Sequence, residues 1–343
     1  MGMQKILVSG PSWVGDMVMA QSLFRVLRRR YPYAVIDVLA PAWSQAILNR
    51  MPEINHVLDV PFQHGQFAFR KRIAFGKSLR EQHYQQAIVL PNSWKSAIIP
   101  WAAKIPRRTG WVGEQRWGLL NDIRRLDKTK LPLMVQRFMA LGLEKYAIFP
   151  KQLLRPQLVI DPAQLQAALT SLQIQLNAKP ILAMCPGAEF GSSKRWPVAY
   201  FAQTACHALA NEMAVWLFGS ANDAPLAEEI MHQTDQQCLN LIGKTNLAQA
   251  VDLMSLAAVV LANDSGLMHI AAALDKPMLA VFGSSSPKFT PPMSDKAKLL
   301  ALDLPCRPCF KRECPLKHHR CMQDIKPNQV IAELAQWIPV ALP

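Results

Sequence analysis

Three short segments of this chain hold the residue types that handle phosphate. In the second half, Val259-Val-Leu-Ala-Asn263-Asp264-Ser265-Gly266-Leu267-Met-His269 runs from apolar residues into one acidic and two small ones. The pattern reads as a buried strand that turns into a helix at an acidic cap. Such a junction aims unpaired backbone N–H groups and the positive end of a helix dipole at one point. That geometry binds anions and suits a nucleotide diphosphate. Gly10-Pro-Ser-Trp-Val-Gly15-Asp16 and Pro186-Gly187-Ala188-Glu189-Phe-Gly-Ser-Ser-Lys194-Arg-Trp-Pro197 show the same strand-to-loop-to-helix signature.

Each candidate has a structural and a chemical reading. Asp16 opens the first helix, where it serves either as a cap or as a carboxylate that takes a proton. Lys194 is either a solvent-facing loop lysine or a cation that neutralises charge on a leaving phosphate. Asp264 is a helix cap or part of a ligand loop, and Ser265 and Gly266 allow a ligand close to the backbone. His269 stands one helical turn past Ser265, as a core histidine or a phosphate contact. Gly219-Ser220 follows the run Trp216-Leu-Phe218 and could border a nucleoside, while Met254 is core or a stacking surface.

The elements that must position these residues follow from alternation. In the first half, runs at 6–8, 35–39, 57–60 and 87–90 read as strands between helical patterns at 14–30, 42–50, 67–82 and 94–104, with another helix near 134–143. In the second half, strands at 181–185, 214–218, 259–262 and 278–282 alternate with helices at 197–211, 224–234, 247–255 and 265–274. Continuous apolar strands separated by helices predict parallel sheets covered on both faces. The fold class is α/β: two doubly wound, Rossmann-like domains of residues 1–155 and 156–326 facing across a cleft, then a closing helix in 327–343 that packs back toward the first domain. Ligands in such folds lie beyond the carboxyl ends of the strands.

The 343 residues carry a net charge of +14, and it is not shared evenly. Residues 1–155 hold 24 Lys and Arg against 9 Asp and Glu; the rest hold 14 against 15. A basic half suits a polyanion or an anionic membrane surface. Nucleic acid is a rival partner, with Trp94, Trp101, Trp111 and Trp117 as stacking platforms. No apolar run approaches the roughly 20 residues that span a bilayer, and the beginning of the chain lacks a cleavable leader pattern, so the expectation is a cytoplasmic protein.

Other chemistries are weaker. The spacing of Gly10 and Gly15 is not a dinucleotide fingerprint, which speaks against a nicotinamide oxidoreductase. Gly76-Lys77-Ser78 and Gly243-Lys244-Thr245 lack the upstream glycine of a phosphate-binding loop, with Lys71 and Cys238 in its place. Cys306, Cys309, Cys314 and Cys321 are spaced C-x2-C-x4-C-x6-C beside His318 and His319. They leave three readings open: a metal site, a reduced structural cluster, or disulfides.

Together the segments resemble the heptosyltransferases of bacterial lipopolysaccharide core synthesis. The likeness runs over nearly the whole chain: Gly10 to Asp16, Pro186-Gly-Ala, Lys194-Arg-Trp-Pro197 and Asn263 to His269, with the tail from Cys306 to Met322 similar to type II members. The resemblance implies an inverting glycosyltransferase of the GT-B type that needs no cofactor and no metal. It implies an ADP-heptose donor on the C-terminal domain and a phosphorylated lipid A–inner-core acceptor on the N-terminal domain. It also implies peripheral attachment to the anionic inner-membrane surface, and no nucleic acid as partner. Asp16 matches the catalytic base and Lys194 the diphosphate-contacting lysine. Donor contacts are expected from Gly187, Ala188, Glu189, Lys194, Gly219, Met254, Asp264, Ser265, Gly266, Leu267 and His269. Acceptor contacts are expected from Gly15, Arg107 and Arg108. Type I members carry hydroxyl residues where this chain has Ala188 and Glu189.

Overall fold

The computed structural model of the chain describes residues 4–61 and 66–337. The chain divides into two compact units, Met1–Pro156 and Gln157–Pro343. The first contains strands β1 (Lys5–Ser9), β2 (Val35–Ala40), β3 (His56–Asp59), β4 (Gln86–Val89), β5 (Arg107–Trp111) and β6 (Asp122–Arg124). The second contains β7 (Ile181–Cys185), β8 (Ala214–Leu217), β9 (Leu239–Asn240), β10 (Val259–Asn263), β11 (Met278–Val281) and β12 (Ala297–Leu300). Each set forms one sheet, in the orders β3-β2-β1-β4-β5-β6 and β12-β11-β10-β7-β8-β9. Every neighbouring pair is parallel.

The two orders are the same order. Within each unit, strand order reverses between the first and fourth strands, so each sheet has a switch point: β1 beside β4, and β7 beside β10. There the loops leave to opposite faces and open a crevice at the carboxyl rim. The central strands are buried along their whole length, β7 and β10 included. That is why they read as unbroken apolar runs.

Among the described residues the sequence pattern missed four strands and two helices, the short one being Arg320–Gln323. β5 is Arg-Arg-Thr-Gly-Trp and β6 is Asp-Ile-Arg, both polar. β9 has two residues, and β12 is a half-exposed edge strand. Helix Pro162–Ser171, capped by Asp161, opens the second unit ahead of its first strand.

Helix Pro327–Leu334 belongs to the second unit, where Val330 and Leu334 join a core with Leu182, Phe201, Leu217 and Leu279. Its apolar stripe finds that core directly, each large side chain there being worth about 1.5–3 kcal/mol on burial. The rest of the closing segment, residues 338–343, lies outside the described residues.

In the first sheet, Asp37 is buried in β2, where Tyr84 Oη donates to its Oδ2 at 2.6 Å and His56 Nδ1 bonds Oδ1 at 2.9 Å. Burial, and then this bond, push the Tyr84 hydroxyl well above its ordinary pKa. Tyr84→Phe removes a donor from a buried carboxylate and is expected to cost about 1–3 kcal/mol. Faster hydrogen exchange of the β2 amides would report it.

Candidate active site

At the second switch point, three loops meet around one ion pair. β10 ends at Asn263, and Asp264 follows with its N–H bonded to Val281 O at the end of β11, 3.1 Å away. The Lys194 ammonium, on a short helical turn after β7, lies 2.6 Å from Asp264 Oδ2. Asp264 is 3% exposed and Lys194 17%. Ser285 Oγ, from the loop after β11, donates to the same Asp264 oxygen. The ammonium also sits 5.0 Å from the centre of the Phe190 ring.

Asn263 ties the loops together. Its Nδ2 donates to Pro186 O at 2.7 Å, and its Oδ1 accepts from the Trp196 N–H at 3.0 Å. The Trp196 indole N–H donates in turn to Ile325 O at 2.8 Å. All four hydrogen-bonding groups are buried and paired, which holds the β7 loop against β10.

The helix after β10 begins at Gly266, with Ser265 as its N-cap in an extended conformation. Asp264 is therefore not the cap; it stands one residue earlier and holds Lys194. The Ser265 hydroxyl makes no cap bond, and its buried oxygen has no partner within the protein. The first N–H groups of this helix have no acceptor in their own helix, so Lys194 and a positive helix end face one place. His269, on the next turn, is 5% exposed. Burial pushes its imidazole pKa down to about 4, against the pull of Asp264 and with a further push from Lys194.

Gly187 and Gly219 adjoin a carboxylate that the sequence reading passed over. A Cβ at Gly187 would run into the Asp223 side chain. Asp223 Oδ2 accepts from the N–H and the hydroxyl of Ser220, both at 3.0 Å, while its buried Oδ1 has no partner within the protein. Ala188 is buried; Glu189 is exposed and 3.5 Å from the Asn222 amide. Leu267 is half-buried on the first turn of the helix. Met254 is fully buried on helix Leu247–Met254, the structural side of its two readings.

At the first switch point, Gly10 leaves β1 with its N–H bonded to Leu39 O at 2.9 Å. Helix Val14–Arg30 begins with Trp13 as N-cap, so Asp16 is not the cap but lies in the first turn, half-buried beside buried Gly15. The helix dipole favours a carboxylate there. Across the same rim, the loop after β4 is braced by Arg116, whose guanidinium donates to Pro91 O at 2.6 Å.

Arg107 and Arg108 are not brought to that rim. They begin β5, level with Gln86 and Ala87 at the start of β4, about 10 Å of strand short of the carboxyl ends. Arg107 bonds Asp122 at 3.1 Å and Glu144 at 2.9 Å; Arg108 donates to Leu119 O and Ile105 O, each at 2.6 Å. What does open beyond β5 and β6 is a cavity of about 660 Å³ lined by Trp111, Trp117, Arg125, Lys130, Tyr146 and Phe149.

Among the described residues no three His, Cys, Asp or Glu side chains gather as a metal site, and all the cysteines are free thiols. Cys306, Cys309 and Cys321 lie within electrostatic reach of the Arg307 guanidinium, which donates to Gly283 O at 2.5 Å and Ser285 O at 3.2 Å.

The family model described as Glycosyltransferase family 9 (heptosyltransferase) matches residues 72–320. The chain belongs to glycosyltransferase family 9. Lipopolysaccharide heptosyltransferase 2 of Salmonella typhimurium is 47% identical over 339 residues, 96% of this chain and 97% of that protein. The protein of the same name from Escherichia coli K12 is 47% identical over 340 residues, with the same coverage. The solved structure of E. coli ADP-heptose lps heptosyltransferase II matches with a TM-score of 0.87 at 44% identity, over 98% of both chains. This glycosyltransferase thus has the two parallel-sheet α/β units of the GT-B type. Ser285 and Asp223 are the site residues that family-9 motifs in the sequence did not suggest. Gly283-Ser284-Ser285-Ser286 directly after an apolar run was the available signal for the first.

The low pKa of His269 gives a prediction with a definite sign. Between pH 6.5 and about 4, the unfolded chain binds a proton that the native imidazole refuses. Stability is therefore full above this window and declines as pH falls through it, by roughly 3 kcal/mol when complete. Thermal melts across this range should show a shallower acid decline in His269→Gln than in the wild type.

Proposed function

We propose that the protein moves a heptose from ADP-heptose to the first heptose of a lipid A inner core, inverting the anomeric centre. The observation that carries this reading is the likeness, at 47% identity over almost the full length, to two lipopolysaccharide heptosyltransferase 2 proteins. In this reading the second unit holds the donor. Its diphosphate lies on the N–H groups of 265–267 with Lys194 beside it, and Asp264 and Ser285 fix the position of that ammonium. The unpartnered Asp223 oxygen lies beside Gly187, where a nucleoside hydroxyl supplies a donor.

The first unit holds the acceptor. Asp16 takes the proton from an acceptor hydroxyl as its oxygen attacks the anomeric carbon. The bond from that carbon to the diphosphate oxygen breaks, and ADP leaves with the electron pair. Lys194 and the helix N–H groups compensate the charge that develops on the leaving group. The aromatic and basic cavity beyond β5 and β6 suits the amphiphilic, phosphorylated part of an acceptor better than Arg107 and Arg108 do. The enzyme works at the cytoplasmic face of the inner membrane, attached peripherally. Among the described residues no helix is long and apolar enough to cross a membrane.

The test is transfer by the purified protein with ADP-heptose and truncated acceptors that carry or lack the first heptose, read by product mass. Product only with the heptose-bearing acceptor supports the reading; product only with the other sinks it. Asp16→Asn is expected to lower kcat by at least about a hundredfold with little change in donor KM. Lys194→Gln should lower kcat comparably and also lower the melting temperature, because it leaves Asp264 buried without its cation. Near wild-type turnover in Asp16→Asn removes the base assignment.

A further inference from the structure

Phe67, Phe69 and Trp94 form a group that the reaction does not use. Their ring centres lie 5.8, 6.0 and 6.3 Å apart, with planes within 8–18° of one another. A column of three stacked rings would place the outer two about twice as far apart as neighbours. A near-equilateral triangle of near-parallel, offset rings is instead one compact aromatic cluster. Phe67 is 53% exposed and Phe69 39%.

The aromatic cluster is held in place. Ala68, between the two phenylalanines, has φ 45°, a left-handed conformation that a non-glycine residue adopts at a cost. Arg72 is buried and donates to Phe67 O at 2.7 Å and Gln66 O at 3.1 Å. The Trp94 N–H donates to Glu114 at 2.9 Å. Arg72 thus satisfies the two carbonyls at the tip, so the tip can leave water without stranding them. A phenylalanine ring offers no hydrogen bond to a polar ligand, so burying the exposed face favours an apolar partner.

The charges beside it are placed against the helix. Helix Phe69–Ser78 has no acidic residue in its first turn, where Arg70 and Lys71 are exposed. Cations at a positive helix end are unfavourable unless an external anion offsets them. Apolar rings with cations and a helix N-terminus beside them match one partner: the acyl border of a bilayer with its phosphate headgroups.

We infer that Phe67, Phe69 and Trp94 insert into an anionic bilayer while Arg70 and Lys71 bind its headgroup phosphates. This deepens the membrane part of the proposed function, and its test is separable from transfer. The full chain is titrated with vesicles of zwitterionic lipid with and without phosphatidylglycerol. The wild type should bind the anionic vesicles. The double variant Phe67→Ser/Phe69→Ser should bind at least about tenfold more weakly, and Arg70→Gln/Lys71→Gln should lose most of the salt-sensitive part. Vesicles with brominated acyl chains should quench wild-type tryptophan emission more than that of Trp94→Phe. With a deacylated, water-soluble acceptor the serine double variant should transfer at the wild-type rate, melting as the wild type does. Equal vesicle binding by the wild type and the serine variant, or equal quenching in Trp94→Phe, overturns the inference. Loss of transfer to the soluble acceptor in the serine variant overturns it in favour of sugar stacking. Vesicle binding without any transfer by the wild type leaves it standing and removes the proposed function.

Discussion

A carboxylate and an ammonium 2.6 Å apart, both largely out of water, hold the second unit's rim together. Such a pair contributes little net stability, because desolvating both charges offsets most of their attraction. Its value is positional. Asp264 is anchored by β10 and by the end of β11, Lys194 arrives from the β7 loop, and Ser285 from the β11 loop. The pair therefore fixes three strand-end loops at one point, directly before a helix N-terminus. An apolar replacement could pack as well, yet it would leave no cation aimed at the helix mouth.

The two sheets share one strand order and use it for opposite electrostatics. At the second switch point a lysine and a helix end make a positive mouth. At the first, an acidic residue occupies the opening turn of a helix whose cap, Trp13, has no side-chain oxygen to offer. In an inverting displacement the leaving group needs a positive environment and the nucleophile needs a base. In the proposed reaction one architecture, repeated, supplies each from the same topological position, because in both sheets it is the strand reversal that opens the crevice.

The legible part of the fold was the part buried on both faces. β1, β2, β4, β7, β10 and β11 are central or nearly so, and burial makes them predominantly apolar, with the paired Asp37 in β2 an exception. β5 and β6 were illegible because arginine and aspartate side chains pair across them, Arg107 and Arg124 both bonding Asp122. Those ion pairs replace the apolar signal of a strand with a charged one. The site was legible for a similar reason: the residues of 263–269 must be small or acidic where the strand ends, and that break in apolarity is visible. Asp223 was not, since it lies several residues past its strand and only the close approach to Gly187 shows its place. Composition records charge but not strand register, and register places Arg107 and Arg108 at the amino rim.

The basic excess of the first half also has to be divided before it means anything about a ligand. Arg28 donates to Ala34 O and Glu53 O, Arg108 to Leu119 O and Ile105 O, Arg116 to Pro91 O and Arg124 to Ala140 O. These guanidiniums satisfy loop carbonyls, a task for which five fixed donors suit arginine better than lysine. They add to the long-range field but have no freedom to meet a phosphate. The cations left to do so are exposed ones such as Arg70, Lys71, Arg125 and Lys130. They lie in the helix turn past β3 and in the loop past β6, both beyond the carboxyl ends of their strands. The sum of charges thus overstates the number of contacts, while the placement of the unspent charges narrows where an anionic partner meets the first unit.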